Sequence, residues 1–312
     1  MRVSNFFTNF AASTIDGLTQ GSIYALVALG YTLVYGVLRL INFAHSEIFM
    51  IGTFATVGVI TALGISTPLS GIALVGFLLL AAVVAASASG VSAVILERVA
   101  YRPLRRRGAT TLAALISAIG ASLFLQQLVS LRFPDTLSTT RVMNKTIYAT
   151  IGTGLIRADK VLVFFGSIFM MLLLDRLVRS TRFGRAIRAT AQSADTATLM
   201  GVNIDRVVML TFLIGGAMAG IGGMLYVIFF EATSFFVGFV LGIKAFTAAV
   251  LGGIGNLRGA LLGGLLLGLI QEYVGSVLGA QWKDVVAFAV LVLVLMFRPT
   301  GLLGESLSKA RA

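Results

Sequence analysis

The sequence predicts an all-α protein, a polytopic bundle of membrane-spanning helices. The chain of 312 residues is 58% hydrophobic and only 12% charged, whereas a soluble globular domain is typically about 25% charged. Its charges are clustered, so long stretches such as Gly17–Leu38 and Val207–Phe230 carry none. A helix needs roughly 20 apolar residues to cross the hydrocarbon core of a bilayer, and these stretches are long enough.

Nine apolar segments are predicted to enter the membrane, with a range of eight to ten. The fifth and ninth are short and the seventh contains Lys244, so these are candidates for broken or re-entrant helices. In chain order the segments are Gly17–Leu38, Ile48–Ile65, Ser70–Leu96, Ala109–Leu131, Val161–Val178, Val207–Phe230, Ala232–Ile254, Gly259–Ala280 and Asp284–Phe297.

Basic residues favour one side of this bundle. When nine segments cross in turn, alternate connections share a side, and one side holds most of the 24 lysines and arginines. Positive residues are typical of cytoplasmic loops, so Arg102–Arg107, the loop 179–206 and the C-terminus are expected in the cytoplasm. The N-terminus and the polar stretch Arg132–Lys160 are expected outside. The net charge of +12 follows from this bias and requires no nucleic-acid partner.

The whole chain, residues 1–312, is predicted to form a single transmembrane domain that contains one unusual loop, 179–206. Within this loop Arg185–Met200 is rich in alanine and has no Pro or Gly, which predicts a helix. Gly201 is expected to end that helix in the left-handed conformation, and Asn203 to cap a short following helix. Small residues at helical spacing form a narrow face that favours close approach by a partner, although a solvated loop helix is the alternative. These residues are Ala186, Ala189, Ser193, Ala197 and Gly201.

Six stretches together resemble the high-affinity branched-chain amino-acid permeases of ABC importers, and the H-type subunit of the two-permease pair in particular. The resemblance covers nearly the whole chain in the family's order and is weakest in Arg132–Asp159. The stretches are INFAHSEIFMIG (Ile41–Gly52), RPLR (Arg102–Arg105), TRFGRAIRA (Thr181–Ala189), GVNIDRVVMLTF (Gly201–Phe212), KAFTAAVLGGIGNLRGALLGG (Lys244–Gly264) and KDVVAFAVLVLVLMFRPTGLLG (Lys283–Gly304).

This resemblance implies a permease subunit in the bacterial cytoplasmic (inner) membrane that translocates branched-chain or other neutral amino acids. Urea or short amides are the alternative cargo, and a stand-alone secondary transporter is the alternative class. The fold is expected to resemble the vitamin-B12-type importer permeases. The implied partners are two cytoplasmic ATPase subunits, a second, homologous M-type permease subunit in a heterodimer, an extracytoplasmic binding protein and membrane lipid.

The resemblance also implies that the loop 179–206 contains the coupling helix that seats in the ATPase. ADTATLMG resembles the degenerate EAA loop of importer permeases, with Asp195 in place of the usual Glu. The candidate coupling residues are Arg185, Arg188, Ala189, Ser193, Asp195, Ala197 and Gly201. The chain has no Gly-Lys dipeptide and therefore no Walker A site, so no bound cofactor is expected here, and ATP and magnesium are expected on the partner subunits.

Polar groups in apolar surroundings are the candidates for a pathway or gate. A charge within the membrane costs roughly 2.5–3.5 kcal/mol on insertion scales, and the alternative for Lys244 and Glu272 is ion pairing that stabilises the bundle. Ser46 is a candidate cap for the second membrane helix, with Glu47 in its first turn. The candidates are Asn42, His45, Glu47, Lys244, Asn256 and Glu272.

An enzymatic role is not expected from this composition. The chain has no cysteine, one histidine and no G-x-S-x-G motif, so nucleophilic sites are poorly supplied. His45 and Glu47 form H-x-E, but no third or fourth metal ligand is evident. The glycines of GGIGNLRGALLGG do not fit a nucleotide-binding loop and instead favour tight helix packing, with a substrate gate as the alternative.

Overall fold

The computed structural model describes the backbone of residues 2–304 and the side chains of residues 9–304. The predicted cytoplasmic C-terminus, residues 305–312, lies outside the described residues. The described chain is predominantly helical, as predicted. The helices are α1 (Arg2–Leu38), α2 (His45–Ala62), α3 (Gly71–Leu96), α4 (Arg102–Arg106), α5 (Thr111–Ser130), α6 (Ala158–Ser180), α7 (Arg182–Gln192), α8 (Ala194–Leu199), α9 (Ile204–Phe230), α10 (Val237–Gly252), α11 (Leu257–Leu278) and α12 (Trp282–Phe297), with a π-helical turn at Glu97–Tyr101.

Four short strands lie in the connections. Strands β2 (Ile147–Ile151) and β3 (Gly154–Arg157) form an antiparallel hairpin between α5 and α6. Strand β1 (Leu137–Ser138) pairs antiparallel with β4 (Ala232–Thr233), which follows α9. The segment predicted to be the longest outside loop is therefore an ordered cap that ties the end of α9 to the α5–α6 connection.

Seven helices of the described chain are long and apolar enough to cross a membrane. Helices α10 and α12 have only 16 residues each, as expected for two of the three irregular segments. The fifth segment was predicted to be short, and this was wrong. Helix α6 has 23 residues because it begins at Ala158, where the buried charges of Asp159 and Lys160 are ion-paired and tolerated within the helix.

Helix α1 lies at the centre of the bundle and is 83% buried over its most apolar window, whereas α3 and α5 are 17% buried over theirs. Its neighbours include α11, α9, α6 and α10. The outer helices present large apolar side chains such as Leu79, Ile116 and Phe169. Apolar groups facing outward on long helices match a hydrocarbon surrounding, so the molecule is an integral membrane protein.

Glycines bring α1 and α11 into backbone contact. A Cβ added at Gly264 would lie 2.5 Å from the backbone of Ala25, and one added at Gly268 would lie 2.5 Å from the backbone of Gly21. Within lipid, helices associate through close packing rather than through a hydrophobic driving force, and small residues permit that approach. The packing explanation of the segment GGIGNLRGALLGG agrees with these contacts.

The two ends of the bundle differ. At one end Gly154 of the hairpin packs on Ala11 and Ile15 of α1. At the other end the Arg39 guanidinium, just beyond α1, donates to the carbonyl of Ala191 in α7 at 3.1 Å. The hairpin and the α7–α8 loop therefore lie at opposite ends of the longest helix, which agrees with the predicted orientation of the loops.

A helical connection joins α3 to α4 at this second end. The helical path continues through Pro103 to Arg106. The five residues before Arg102 adopt a π-helical turn. Proline lacks an N–H and its ring clashes with the carbonyl four residues earlier, and the wider π-turn is a common local adjustment.

Candidate functional site

The α7–α8 loop is a pair of helices broken at Ser193. Ser193 has an extended backbone (φ −157°, ψ 112°), and its hydroxyl accepts a hydrogen bond from the N–H of Thr196 at 3.3 Å. The prediction of one helix over Arg185–Met200 was therefore wrong. A serine side chain can cap a new helix in place of continuing the old one, and here it starts α8.

The predicted end of this loop is confirmed in its main features. Gly201 has φ +83°, in the left-handed region, and the N–H of Val202 bonds to the carbonyl of Ala197 at 3.0 Å. The Asn203 side chain accepts from the N–H of Arg206 at 3.0 Å. It caps α9, a helix of 27 residues, rather than the short helix that was expected.

The small-residue face of the loop points into the protein, which corrects its expected direction. Ala197 is only 3% exposed, and Ala189 and Ser193 are half-buried. The exposed apolar residues are instead Leu199 (87%) and Met200 (81%). Small residues let α8 pack closely on its own chain, and two large side chains project from its tip.

The remaining coupling candidates are spread along the loop. Asp195, Arg185 and Arg188 are exposed, and the Arg188 guanidinium donates to the carbonyl of Val178 at the end of α6. Arg39, with φ +54°, holds α7 from the other side through Ala191. The loop is thus anchored to α1 and α6 while its tip is free.

A cluster of charges joins α9 to α4 directly behind the loop. The carboxylate of Asp205, in the first turn of α9, pairs with Arg102 at 2.8 Å, Arg105 at 2.6 Å and Arg106 at 2.8 Å. Arg105 also contacts the buried Glu97 at 3.2 Å. Carboxylate–guanidinium contacts of this kind are charge-assisted hydrogen bonds with defined geometry, so α4 and the base of the loop are held together.

The π-helical turn connects this charge cluster to the start of α2. Glu97 begins the turn and Tyr101 ends it. The Tyr101 hydroxyl donates to the side-chain oxygen of Asn42 at 2.8 Å, just before α2. π-Turns inside helices are frequent at functional sites, and the backbone of this one links the Asp205–Arg105–Glu97 contacts to the Tyr101–Asn42 hydrogen bond.

Helix α2 begins inside the bundle, because His45 packs on Gly30 of α1, and Gly30 packs on Gly215 of α9. At 1.5 Å per residue, Gly30 lies about 12 Å from the end of α1 and Gly215 about 16 Å from the start of α9. Helix α10 begins beside it, since Gly238 packs on Glu47. Helices that start within the membrane are typical of transporter binding regions.

Three of the candidate residues are buried at the start of α2: Asn42 (2% exposed), which precedes the helix, and His45 (1%) and Glu47 (0%) in its first turn. Ser46 was expected to cap this helix, and this was wrong. Its hydroxyl donates to the carbonyl of Phe43 at 2.8 Å, because the helix already begins at His45 and Ser46 lies inside it.

Several polar atoms of this turn are left without partners. The Ser122 hydroxyl of α5 donates to Oε1 of Glu47 at 3.1 Å. Among the described residues, no hydrogen-bond partner is found for Oε2 of Glu47, Nε2 of His45 or Nδ2 of Asn42. Buried polar groups are normally satisfied, so these three neighbouring atoms are available to contact a ligand.

The deeper charges are ion-paired, as the pairing alternative predicted. Lys244 lies 2.7 Å from Asp284 of α12 and 5.8 Å from the ring centre of Tyr24. Glu272 pairs with Lys283 and accepts a hydrogen bond from Gln20 at 2.7 Å. These contacts join α1, α10, α11 and α12.

Asn256 has a structural position at the start of α11. Its side-chain oxygen accepts from the N–H groups of Arg258 and Gly259, and its amide donates to the carbonyl of Leu303 at 2.9 Å. Asn256 therefore caps α11 and makes none of the contacts of the buried turn of α2. Within the described part of the chain, no three His, Cys, Asp or Glu side chains lie close enough together to hold a metal ion.

Sequence reasoning missed the partners of the candidates: Tyr101, Ser122, Asp205 and Asp284. Each comes from a distant part of the chain, and a contact between distant segments leaves no periodic signal. Only Asp205 carried a usable sign, since an acid in the first turn after Asn203 is typical of a helix N-terminus. The apolar pair Leu199–Met200 in a polar loop was also visible in the sequence and was not singled out.

The bundle of long apolar helices places the chain in the class of polytopic helical membrane proteins. The family model described as "Branched-chain amino acid transport system / permease component" matches residues 13–295, and the chain belongs to this family. This confirms the family resemblance found in the sequence. It is a family of transport permeases and not of enzymes.

Relatives of the same family match over nearly their full length. The chain is 43% identical to the high-affinity branched-chain amino acid transport system permease protein LivH of Escherichia coli (strain K12), over 97% of this chain and 98% of the relative. It is 42% identical to the corresponding protein BraD of Pseudomonas aeruginosa, over 95% and 96%. A probable branched-chain amino acid transport permease of Methanocaldococcus jannaschii is 25% identical over 94% and 92%.

Proposed function

We propose that this chain is the membrane-spanning subunit of an ATP-driven importer for branched-chain amino acids. The cargo is supported by the names of relatives that match over nearly the whole chain, which favours amino acids over urea or short amides. Residues 1–312 act as one transmembrane domain with a coupling loop at 179–206. The fold is of the vitamin-B12-importer type, and the subunit works in the bacterial inner membrane with its C-terminus in the cytoplasm.

The observation that carries this proposal is the shape of the α7–α8 loop. Its tip exposes Leu199 and Met200, while its base is anchored to α1 through Arg39 and to α4 through Asp205. An exposed apolar pair next to charged residues is typical of a protein contact. A partner that binds the tip can therefore move α1, α4 and α9 together.

The partners proposed here are those that the family resemblance implies, and the chain's lack of a Walker A motif supports the binding of ATP on other subunits. Two cytoplasmic ATPase subunits bind ATP and magnesium and contact the loop. A homologous M-type permease completes the membrane core as a heterodimer, and an extracytoplasmic protein delivers the amino acid to the hairpin end. Contact with the exposed Arg185 and Asp195 orients the ATPase, and Arg188 holds the loop on α6. Ala189, Ser193 and Ala197 pack the loop on its own chain, and Gly201 ends α8.

Asn42, His45 and Glu47 form the gate of the proposed pathway. Closure of the ATPases shifts the loop, and the polar contacts through Asp205, Arg105 and Tyr101 pass that shift to the start of α2. Two alternative packings of this turn produce alternating access. Lys244 and Glu272 hold the pathway helices in register, and Asn256 fixes the start of α11.

Substitution of the exposed tip tests this function. Leu199→Asp and Met200→Asp each place a charge where an apolar contact is expected, and burying that charge is costly. We expect the permease to insert normally, to lose its ATPase subunits on purification and to lose leucine uptake by at least about tenfold, equivalent to ~1.4 kcal/mol of contact energy.

Leu302→Asp is the matched control, because Leu302 is another exposed apolar residue outside the loop. It should retain the ATPases and uptake. Ala197→Arg is not an equivalent test, since Ala197 is buried in its own chain and its substitution should disrupt the loop itself. Normal ATPase retention and normal uptake in both tip variants would show that α8 does not couple ATP hydrolysis to transport.

A further inference from the structure

Glu47 differs from every other acid in the described part of the chain. It is fully buried and has no ion-pair partner there. Of the other described acids, only Asp135 and Asp195 lack a basic partner, and both are exposed. The acids with basic partners are Asp16, Glu97, Asp159, Asp175, Asp205, Glu231, Glu272 and Asp284.

Glu47 lies at the contact between α2 and α5, where these two helices can separate. Helix α5 buries only three side chains, Ala114, Ala118 and Ser122, which form one narrow stripe. Ser122 is the residue that reaches Glu47. A stripe of small side chains offers little packing energy compared with large ones, so α5 is more weakly attached than α1 or α9.

A cleft of about 440 Å³ opens at the start of α5, about two helical turns before Ser122. It lies between the end of α1, the start of α5 and the non-helical residues that precede α2, and it is lined in part by Tyr35, Arg39, Ile41 and Leu115. Ile41 directly precedes the buried Asn42. Movement of α5 away from α2 would extend this cleft to Glu47.

We propose that Glu47 is the counter-ion for the ammonium group of the transported amino acid. This inference rests on the proposed amino-acid cargo and names the residue that recognises it inside the membrane. An unpaired carboxylate in a low-dielectric interior has a strong preference for a cation, and each cargo molecule carries one. Its Oε2 is the atom that has no partner before the cargo arrives.

The surroundings of Glu47 suit the rest of such a cargo. The rings of Tyr31 in α1 and Phe43 just before α2 both contact the ring of Phe246 in α10, and Tyr31 contacts His45. An aliphatic side chain can slide over these rings without specific bonds. The site therefore selects a positive ammonium together with an apolar side chain, and uncharged amides would gain nothing from Glu47.

The closed state explains how Glu47 is tolerated without cargo. Helix α10 begins at Val237, beside Glu47, and its N-terminus has no side-chain cap. The positive end of a helix dipole stabilises a nearby carboxylate. Gly238 permits this approach, since a Cβ there would lie 2.6 Å from Oε2. The helix end is a weaker partner than a full charge, so the ammonium can displace it.

The test uses the complete complex in proteoliposomes with its binding protein, and measures uptake of labelled L-leucine and ATP hydrolysis. Glu47→Gln keeps the shape and the Ser122 contact but removes the charge. We expect leucine uptake to fall by about 10- to 100-fold, the range for losing a bond to a charged group. Glu47→Asp should lose less, because it keeps the negative charge.

Each outcome has a defined meaning. Retained ATPase subunits and binding-protein-stimulated ATP hydrolysis in Glu47→Gln, together with lost uptake, support recognition at Glu47. Leucine uptake at the wild-type rate and KM in Glu47→Gln overturns it. Failure of both Glu47→Gln and Glu47→Asp to accumulate in the membrane also overturns it, because the carboxylate would then be a folding element. Absence of leucine uptake by the wild-type complex would instead count against the proposed cargo.

Discussion

Single residues with a charge in the membrane are explained by partners that only the fold reveals. The sequence identified Lys244 as out of place, and the structure pairs it with Asp284 at 2.7 Å. The candidate status of Lys244 could be predicted because a charge in an apolar run is conspicuous. Its partner could not, because Asp284 reaches it only through the packing of α12 on α10.

Exchanging the two charges of the Lys244–Asp284 pair tests whether the pair stabilises the fold. Lys244 is largely buried and Asp284 is exposed, so loss of the pair should destabilise the protein by ~1–3 kcal/mol, between the values for exposed and buried pairs. We expect Lys244→Ala to lower the melting temperature of the purified protein. The exchanged double variant Lys244→Asp, Asp284→Lys should recover at least half of the loss.

Arg107→Ala is the control for that measurement, since Arg107 is exposed and pairs with none of the described acids. It should melt like the wild type. If the exchanged variant is no more stable than Lys244→Ala alone, the two charges do not stabilise each other in this geometry.

At the scale of the helices, apolar length predicted the regular elements, and the local chemistry of a few residues determined the exceptions. Gly17–Leu38 and Val207–Phe230 were predicted correctly as helical because length and apolarity are sufficient signals. The break at Ser193 was missed because its cap depends on a backbone choice that alanine-rich composition conceals. The start of α10 at Val237 was missed, because Ala232–Thr233, where the segment was predicted to begin, form strand β4 and pair with β1.

The contact between α1 and α11 gives a prediction at this scale. Gly264→Ala adds a methyl group 2.5 Å from the Ala25 backbone, so the helices must move apart. We expect a loss of about 1–3 kcal/mol in the free energy of unfolding, as for other overpacked sites, measured by thermal unfolding in detergent.

Gly76→Ala in α3 makes the same chemical change where no atom lies within 4 Å of the new Cβ. It should be neutral or slightly stabilising, because alanine favours a helix by ~1 kcal/mol over glycine. Equal stability of the two variants would mean that the glycines of α11 do not set its distance from α1.

For the whole molecule, the two ends of the bundle carry different tasks. In the proposed importer, the hairpin end receives cargo and the α7–α8 end takes up the energy of ATP hydrolysis. The distribution of basic residues predicted which loops share a side, since charge bias is a property of composition. The buried turn of α2 lies between the two ends, and its recognition depended on unsatisfied atoms that only the folded chain displays.

Transport driven by ATPases bound to the α7–α8 loop requires the tip of α8 to face the cytoplasm while the β2–β3 hairpin faces outward. The chain has no cysteine, so single variants can be labelled without background. The most direct measurement compares Tyr148→Cys in the hairpin with Thr198→Cys in α8, both exposed sites, using an impermeant thiol reagent on intact cells. Tyr148→Cys should be labelled at once, and Thr198→Cys only after the membrane is permeabilised. Labelling of Thr198→Cys in intact cells would contradict a cytoplasmic coupling loop.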